Sequence, residues 1–192
     1  MLNERDKRQK QADIELLRSW FSGKCDQPYV LPRREGYDVM AVLFPTLLSG
    51  CRYHLSYLAM WFISKLPWST LKIPLYRLMG VRIGRSVYIA PWVFLDGMYP
   101  HLIELEDGCI LGGGCKLLTH ENTVDRFRIG SVRIGANSVV GAFSIVRCGV
   151  LIGANASTAP GSVVMKDVPD NRVAIGNPAR VVKATQLGPS GE

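Results

Sequence analysis

From Gly80 onward, apolar residues recur at every sixth position. Ile83, Ile89 and Leu95 form one run, and Leu105, Leu111 and Leu117 a second. Ile134, Val140, Val146 and Ile152 form a third, which Thr158 and Val164 continue. Several are followed by a small residue, as in Ile83-Gly84, Ile89-Ala90, Leu111-Gly112, Ile134-Gly135, Val140-Gly141 and Ile152-Gly153. Four residues on, a second small or β-branched position recurs: Val87, Val93, Cys109, Cys115, Ser138, Ser144, Val150, Ala156 and Ser162. A six-residue period with one inward aliphatic predicts a parallel β-helix. Each hexad supplies one short strand and one turn, and three hexads close a triangular coil. Large aliphatics stack inside the prism, small residues fit its corners, and glycine opens turn conformations closed to other residues. Strands of a sandwich or barrel would alternate with period two instead, with turn signals about every 8–12 residues.

The period breaks twice. Leu95 to Leu105 spans ten residues, four more than a hexad, with the excess around Met98–His101. Leu117 to Ile134 spans 17, so a loop protrudes near 120–132. Long loops on a rigid solenoid are common carriers of function.

Before Met79-Gly80 the pattern is helical. Ile14, Leu16, Leu17, Trp20 and Phe21 follow the stripe of an amphipathic helix. Residues 22–37 hold Gly23, Pro28, Pro32 and Gly36 and read as loop. Residues 38–79 are apolar, with Tyr53, Tyr57, Trp61, Trp68 and Tyr76 interleaved with Arg52, Lys65, Lys72 and Arg77. Pro45, Pro67 and Pro74 should break this stretch into short helices. Its uncharged runs, 13 residues from Val39 to Cys51 and 12 from Tyr53 to Ser64, each fall short of the roughly 18–20 that span a bilayer. Helices packed on the protein's own core, helices on a membrane surface and a subunit interface all fit this aromatic and basic mixture. The organisation expected is a helical region 1–79, a β-helix 80–183, and a disordered tail 184–192.

Composition narrows the function classes. A chain of 192 residues with 47% hydrophobic and 20% charged residues excludes wholesale disorder and suits one domain. Five cysteines with no CxxC pair argue against a disulfide framework or a zinc finger, and for a reducing compartment. The charged opening MLNERDKRQK does not read as a signal peptide. A net charge of +7 suits a nucleic acid, a phosphorylated cofactor or an anionic membrane. The charge is spread out and no RNA or DNA motif accompanies it, so a nucleic-acid partner is not expected. Only His54, His101 and His120 can serve as histidine acid, base or ligand.

The hexads resemble those of the hexapeptide-repeat acyltransferases, whose coils wind left-handed. The resemblance covers residues 80–183 and is closest to the maltose, galactoside and xenobiotic acetyltransferase branch. There a Thr-His or Gly-His pair opens the protruding loop and an acidic-Arg pair follows; Thr119-His120-Glu121 and Asp125-Arg126 match. Gly161-Ser162-Val163-Val164-Met165-Lys166-Asp167-Val168-Pro169 and Gly176-Asn177-Pro178-Ala179-Arg180 match the branch's closing motifs, with Met165 in place of the usual threonine. The resemblance implies a homotrimer with active sites between neighbouring prisms, acetyl-CoA as acyl donor, a hydroxyl or amine acceptor, and no metal in the chemistry.

Acyl transfer from a thioester needs a base for the acceptor proton, and histidine suits this at neutral pH. His120 matches the family's catalytic histidine. Its second ring nitrogen needs a partner to set the tautomer, for which Asp96 and Glu121 are candidates; Asp96 also matches an acidic position the family places near the acceptor. The tetrahedral intermediate needs an oxyanion donor, and Gly141-Ala142 occupies the matching turn. Where the family often carries Trp-Ile-Gly-Ser, this chain has Val139-Val140-Gly141-Ala142. By the same resemblance, Ala142 and Pro160 line the pantetheine arm, and Lys166 and Arg180 lie near the cofactor's phosphates. His101 is a further candidate for the acceptor pocket, while Cys109 and Cys115 read as packed core and Cys148 as no nucleophile.

Residues 73–84 (IPLYRLMGVRIG) resemble hexapeptide acyltransferases of cell-surface polysaccharide pathways. The expected activity is therefore acetyl transfer to a saccharide hydroxyl by a cytoplasmic protein, with contact to the inner face of the membrane through 38–79. An amino-sugar amine, an amino acid or an antibiotic is the alternative acceptor. A scaffold without transferase activity, or a γ-carbonic-anhydrase-like metal enzyme, is the alternative class. The metal variant needs three histidines at a coil interface, and only His120 lies beyond Leu105.

Overall fold

A computed structural model of the chain describes residues 4–22, 28–32 and 47–183; the tail 184–192 lies outside them. Helix α1 (Glu4–Ser22), strand β1 (Tyr29–Pro32), helix α2 (Leu47–Lys65) and helix α3 (Ser69–Leu78) precede the coils. Then follow β2 (Arg82–Ile83), β3 (Tyr88–Ile89) and β4 (Phe94–Leu95) in a first coil, and β5 (Ile103–Leu105), β6 (Ile110–Leu111) and β7 (Lys116–Leu117) in a second. β8 (His120–Asn122) and β9 (Arg126–Ile129) leave the prism. β10 (Val132–Ile134), β11 (Val139–Val140) and β12 (Ile145–Val146) make a third coil, and β13 (Leu151–Ile152), β14 (Ser157–Thr158) and β15 (Val163–Val164) a fourth. β16 (Arg172–Gly176) and β17 (Ala179–Lys183) close the structure.

The six-residue period becomes three parallel ladders. β2, β5, β10 and β13 form one face; β3, β6, β11, β14 and β16 the next; β4, β7, β12 and β15 the third. Registers align the hexad aliphatics in columns: Ile83, Leu105, Ile134 and Ile152; Ile89, Leu111, Val140, Thr158 and Ala174; Leu95, Leu117, Val146 and Val164. Apart from the partly buried Ile83, all of these are buried. Each large aliphatic removed from water is worth about 1.5–3 kcal/mol, and stacking many copies of one solution is what holds two-residue strands in place. The small positions serve the corners: Cys109, Cys115, Ser138, Ser144, Ala156 and Ser162 are all buried, and Gly141 could not carry a Cβ without meeting the Thr158 carbonyl.

The helices lie on this prism. Met60, Ile63 and Tyr76 join its core. Trp92 N–H donates to the Ser64 carbonyl at 2.9 Å, and the Lys65 ammonium sits 3.8 Å above the Trp92 ring. The segment from Leu47 is a single 19-residue helix, in keeping with its lack of an internal proline, but Pro74, expected to break the stretch, lies inside α3 instead of ending it. Lys72 and Tyr76, both fully buried, reach the Ala90 and Val93 carbonyls and tie α3 to the first coil, which offsets the backbone bond Pro74 cannot make. Pro67 does separate α2 from α3, whereas Pro45 lies outside the described residues. Residues 22–37, expected as loop, are described at Ser22, which ends α1, and at 28–32, where Tyr29–Pro32 is a strand paired antiparallel with β9.

The predicted loop at 120–132 is an antiparallel hairpin, β8–β9, extended by β1 into a three-stranded sheet. A second apolar cluster lies beneath it. Leu17, Leu31, Met98, Leu102, Phe127 and Ile129 are its buried members, and Trp20, Phe21, Tyr29, Tyr53, Tyr57 and Tyr99 pack around them. Both interruptions of the period therefore meet the N-terminal elements at one edge of the prism. Among the described residues, no helix is long and apolar enough to cross a membrane.

Candidate active site

Two consecutive coils bring the candidate residues together at one corner. Asp96 follows β4, and its N–H donates to the Leu117 carbonyl of the strand below. Thr119 and His120 leave β7 at that corner, where the hairpin begins. The Asp96 carboxylate is fully buried, with its Oδ2 2.6 Å from His120 Nδ1. It also accepts from Thr119 N–H at 2.9 Å, Met98 N–H at 3.0 Å and the Tyr57 hydroxyl at 2.8 Å. Burial alone would raise the Asp96 carboxyl; the bond and charge of His120, with the two backbone donors, outweigh it and hold the group below its usual range. An ionised carboxylate only accepts, so Nδ1 carries the ring proton and Nε2 is the basic nitrogen. The ring stacks on buried Phe127, with centroids 5.8 Å apart, and its side chain keeps 21% of its surface accessible.

Glu121 lies next to the histidine in sequence, but its side chain faces elsewhere. It pairs across the hairpin with Arg128 backbone, and its carboxylate takes Arg147 Nε at 2.6 Å. Strand alternation sends neighbours to opposite faces, so β8 cannot aim both His120 and Glu121 at one point. Glu121 is therefore not the residue that orients His120. His101 sits on the Met98–Leu102 excursion against Phe21 and Tyr99, with ring centroids 5.6 and 6.1 Å away. Cys109, Cys115 and Cys148 are buried, and burial pushes their thiols up to about 12, about 12 and about 11, so none is a thiolate at neutral pH.

The remaining candidates occupy other positions. Gly141 and Ala142 form the turn entering β12, at the opposite edge of the face from which His120 leaves β7. Pro160 lies in the same column one coil below, since Gly161 N–H donates to the Ala142 carbonyl at 2.8 Å. Lys166, just after β15, and Arg180, on β17, are both exposed at the end of the prism. Within one chain, then, Asp96 and His120 converge, while Gly141, Ala142 and Pro160 line a neighbouring corner and do not meet them. Among the described residues no cluster of three or more His, Cys, Asp or Glu side chains could hold a metal ion.

Sequence reasoning missed Tyr57. Nothing distinguishes it in the sequence from Tyr53 or Tyr76, because only the packing of α2 on the Asp96 turn aims it. Ser56 Oγ secures the same contact by donating to the Gly97 carbonyl at 2.8 Å, and a side chain at Gly97 would collide with Tyr57 backbone. Burial first, then the Asp96 charge, push the Tyr57 phenol far above its usual value, so it remains a donor.

Comparison with known proteins agrees with this fold. The family profile described as "Bacterial transferase hexapeptide (six repeats)" matches residues 131–166. A Bacillus subtilis protein named "Putative acetyltransferase YvoF" is 35% identical over 117 residues, covering 60% of this chain and 68% of its relative. A Staphylococcus aureus relative of the same description is 42% identical over 114 residues, covering 59% of this chain and 71% of its own. Among solved structures, a maltose O-acetyltransferase from Clostridium difficile superposes with a TM-score of 0.55 at 24% identity, over 72% of this chain and 89% of the other. A hexapeptide-repeat acetyltransferase of Vibrio cholerae, solved with acetyl coenzyme A, gives 0.56 at 18% identity over the same shares. The shared fold is the left-handed parallel β-helix.

Proposed function

The chain belongs to the hexapeptide-repeat acetyltransferase family, and from that premise we propose that it transfers an acetyl group from acetyl-CoA to a saccharide hydroxyl, with His120 as general base. The observation that carries this reading is the buried Asp96 carboxylate holding His120 Nδ1 at 2.6 Å where the hairpin leaves the coil. His120 Nε2 takes the acceptor's hydroxyl proton as that oxygen attacks the thioester carbonyl. The carbon–sulfur bond then breaks, and the same nitrogen returns the proton to the departing sulfur. Asp96 stays ionised throughout and stabilises the imidazolium that forms between the two steps. The saccharide acceptor rests on the sequence resemblance of residues 118–126 and 161–180 to the maltose and galactoside branch.

The donor end of the reading uses the neighbouring corner. The Gly141-Ala142 turn offers backbone amides to the oxyanion, the Ala142–Pro160 column lines the pantetheine arm, and Lys166 and Arg180 attract the phosphates. Because this corner and the His120 corner flank the same face without converging, a site that needs both draws them from two chains. This supports the expected homotrimer, in which one subunit's histidine faces another's turn.

Calorimetry with acetyl-CoA, and ATP as control, tests the donor. Saturable binding at one site per chain, selective over ATP, is expected; its absence in well-folded protein removes the transferase reading. Arg180→Glu should weaken acetyl-CoA binding by roughly tenfold, a loss typical of reversing one charge beside a phosphate, and unchanged affinity would move the phosphate site elsewhere. Saccharide and amine acceptors offered in parallel then separate O- from N-transfer.

Tyr57 acts through Asp96 as a positioning residue. Hydrogen bonds to charged groups are worth about 1.5–3 kcal/mol, so Tyr57→Phe should lower kcat by about tenfold while leaving KM for acetyl-CoA unchanged. Loss of thermal stability with normal kcat would make the tyrosine a packing residue only.

A further inference from the structure

Helix α2 has two faces with different tasks. Its inner face carries Met60, Ile63 and Ser64 into the core and brings Ser56 and Tyr57 onto the Asp96 turn. Its outer face presents Leu48, Leu55, Leu58 and Phe62, each between 53% and 80% exposed, with exposed Cys51 among them. Their spacing of three and four residues makes one continuous stripe along the helix, which at 19 residues is about 28 Å long. Turning by about 100° per residue places Arg52 on one border of the stripe and His54, Trp61 and Lys65 on the other. Helix α3 repeats the arrangement: Lys72 and Tyr76 point in, while Leu71, Leu75 and Leu78 form an outward row, 38% to 83% exposed, beside exposed Trp68.

The charge of this region is one-sided. Between Asp38 and Asp96 the sequence contains no Asp or Glu. Lys72 is buried, and Arg82 and Arg85 pair with Glu104 and Asp107 of the next coil, so the cations left at the surface of the two helices are Arg52, Lys65 and Arg77. Monomeric proteins seldom leave an apolar stripe of this size in water. A basic, acid-free border with tryptophan at the edge suits a surface that is apolar within and negatively charged at its rim. A second copy of the helix would set two such basic borders against each other.

We propose that the outward face of α2, together with the row on α3, docks on an anionic phospholipid bilayer. The helices lie on that surface and do not cross it, consistent with the lack of a membrane-spanning helix among the described residues. Docking would fix the orientation of the His120 corner to the lipid surface, because the inner face of the same helix grips Asp96. Only this last consequence rests on the acetyltransferase reading.

The full chain is mixed with phosphatidylcholine vesicles, with or without phosphatidylglycerol, and bound protein is separated by flotation. Binding to the phosphatidylglycerol vesicles is expected, with much less on phosphatidylcholine alone. Leu55→Glu combined with Leu58→Glu should weaken vesicle binding by at least roughly tenfold; Arg52→Glu should weaken it less. These side chains are exposed, so the variants should keep wild-type acetyl-CoA affinity by calorimetry, which checks their folding. Absence of binding to anionic vesicles, or binding that the paired leucine change leaves intact, overturns the proposal. So does a wild-type chain that ignores vesicles and loses its oligomeric mass in the leucine variant, since the stripe is then an interface between copies. Stripe-dependent vesicle binding by a chain that fails to bind acetyl-CoA upholds docking and removes the transferase reading instead.

Discussion

Replacing His120 by alanine is expected to cost roughly 10²–10⁴ in turnover, the usual contribution of a positioned general base. Acetyl-CoA affinity should change little, because the groups assigned to hold the donor are the Gly141-Ala142 turn, Pro160, Lys166 and Arg180 rather than the imidazole. The fold should also survive. The histidine occupies the first position of β8, keeps part of its surface in solvent and makes its pairing with Ile129 through backbone atoms. The measurement is steady-state turnover alongside calorimetry with acetyl-CoA. Wild-type turnover in the variant would remove His120 as the base.

Asp96→Asn should lose turnover on a similar scale, about 10²–10⁴, for a different reason. An amide donates where the carboxylate accepted, so a neutral His120 would be held with its proton on Nε2 and its basic nitrogen turned inward. The same change also places an NH₂ among groups that are themselves donors: Thr119 N–H, Met98 N–H and the Tyr57 hydroxyl. At least one buried donor is left unpaired, at about 1–3 kcal/mol of stability. Linkage gives this loss a pH signature. The Asp96 carboxyl is held below its usual value in the folded chain. It therefore contributes stability that is complete above the unfolded carboxylate value and is lost as pH falls through the folded one. Urea unfolding of wild type and variant should differ most near neutral pH and converge in acid. A difference independent of pH would mean that the carboxylate charge contributes nothing to the fold.

The coil was legible because its information is local and repeated. Each hexad states the same rule, so the registers of Ile134 with Ile152 and of Val146 with Val164 follow from counting sixes. The positions of the two interruptions, at Met98–His101 and 120–132, were equally plain as departures from the count. What filled the second was not. The hairpin is stabilised by β1, and residues 29–32 carry proline and no long alternation, so their strand character comes from pairing with β9. Pro74 misled in the opposite direction, because local helix-breaking chemistry was outweighed by two buried anchors, Lys72 and Tyr76.

For the site, the sequence by itself determined the coil, the corner at which it opens and the histidine that opens it. Those depend on spacing along one chain segment, where a six-residue period and its breaks are visible directly. Only the tertiary structure decided which carboxylate serves His120. Asp96 is 24 residues away and Glu121 is adjacent, yet one full coil returns Asp96 to the same corner while strand alternation turns Glu121 to Arg147. It also decided that Tyr57, from a helix outside the repeat, completes the shell of Asp96. Stacking and helix docking convert long sequence separations into contacts, and no local pattern encodes that conversion.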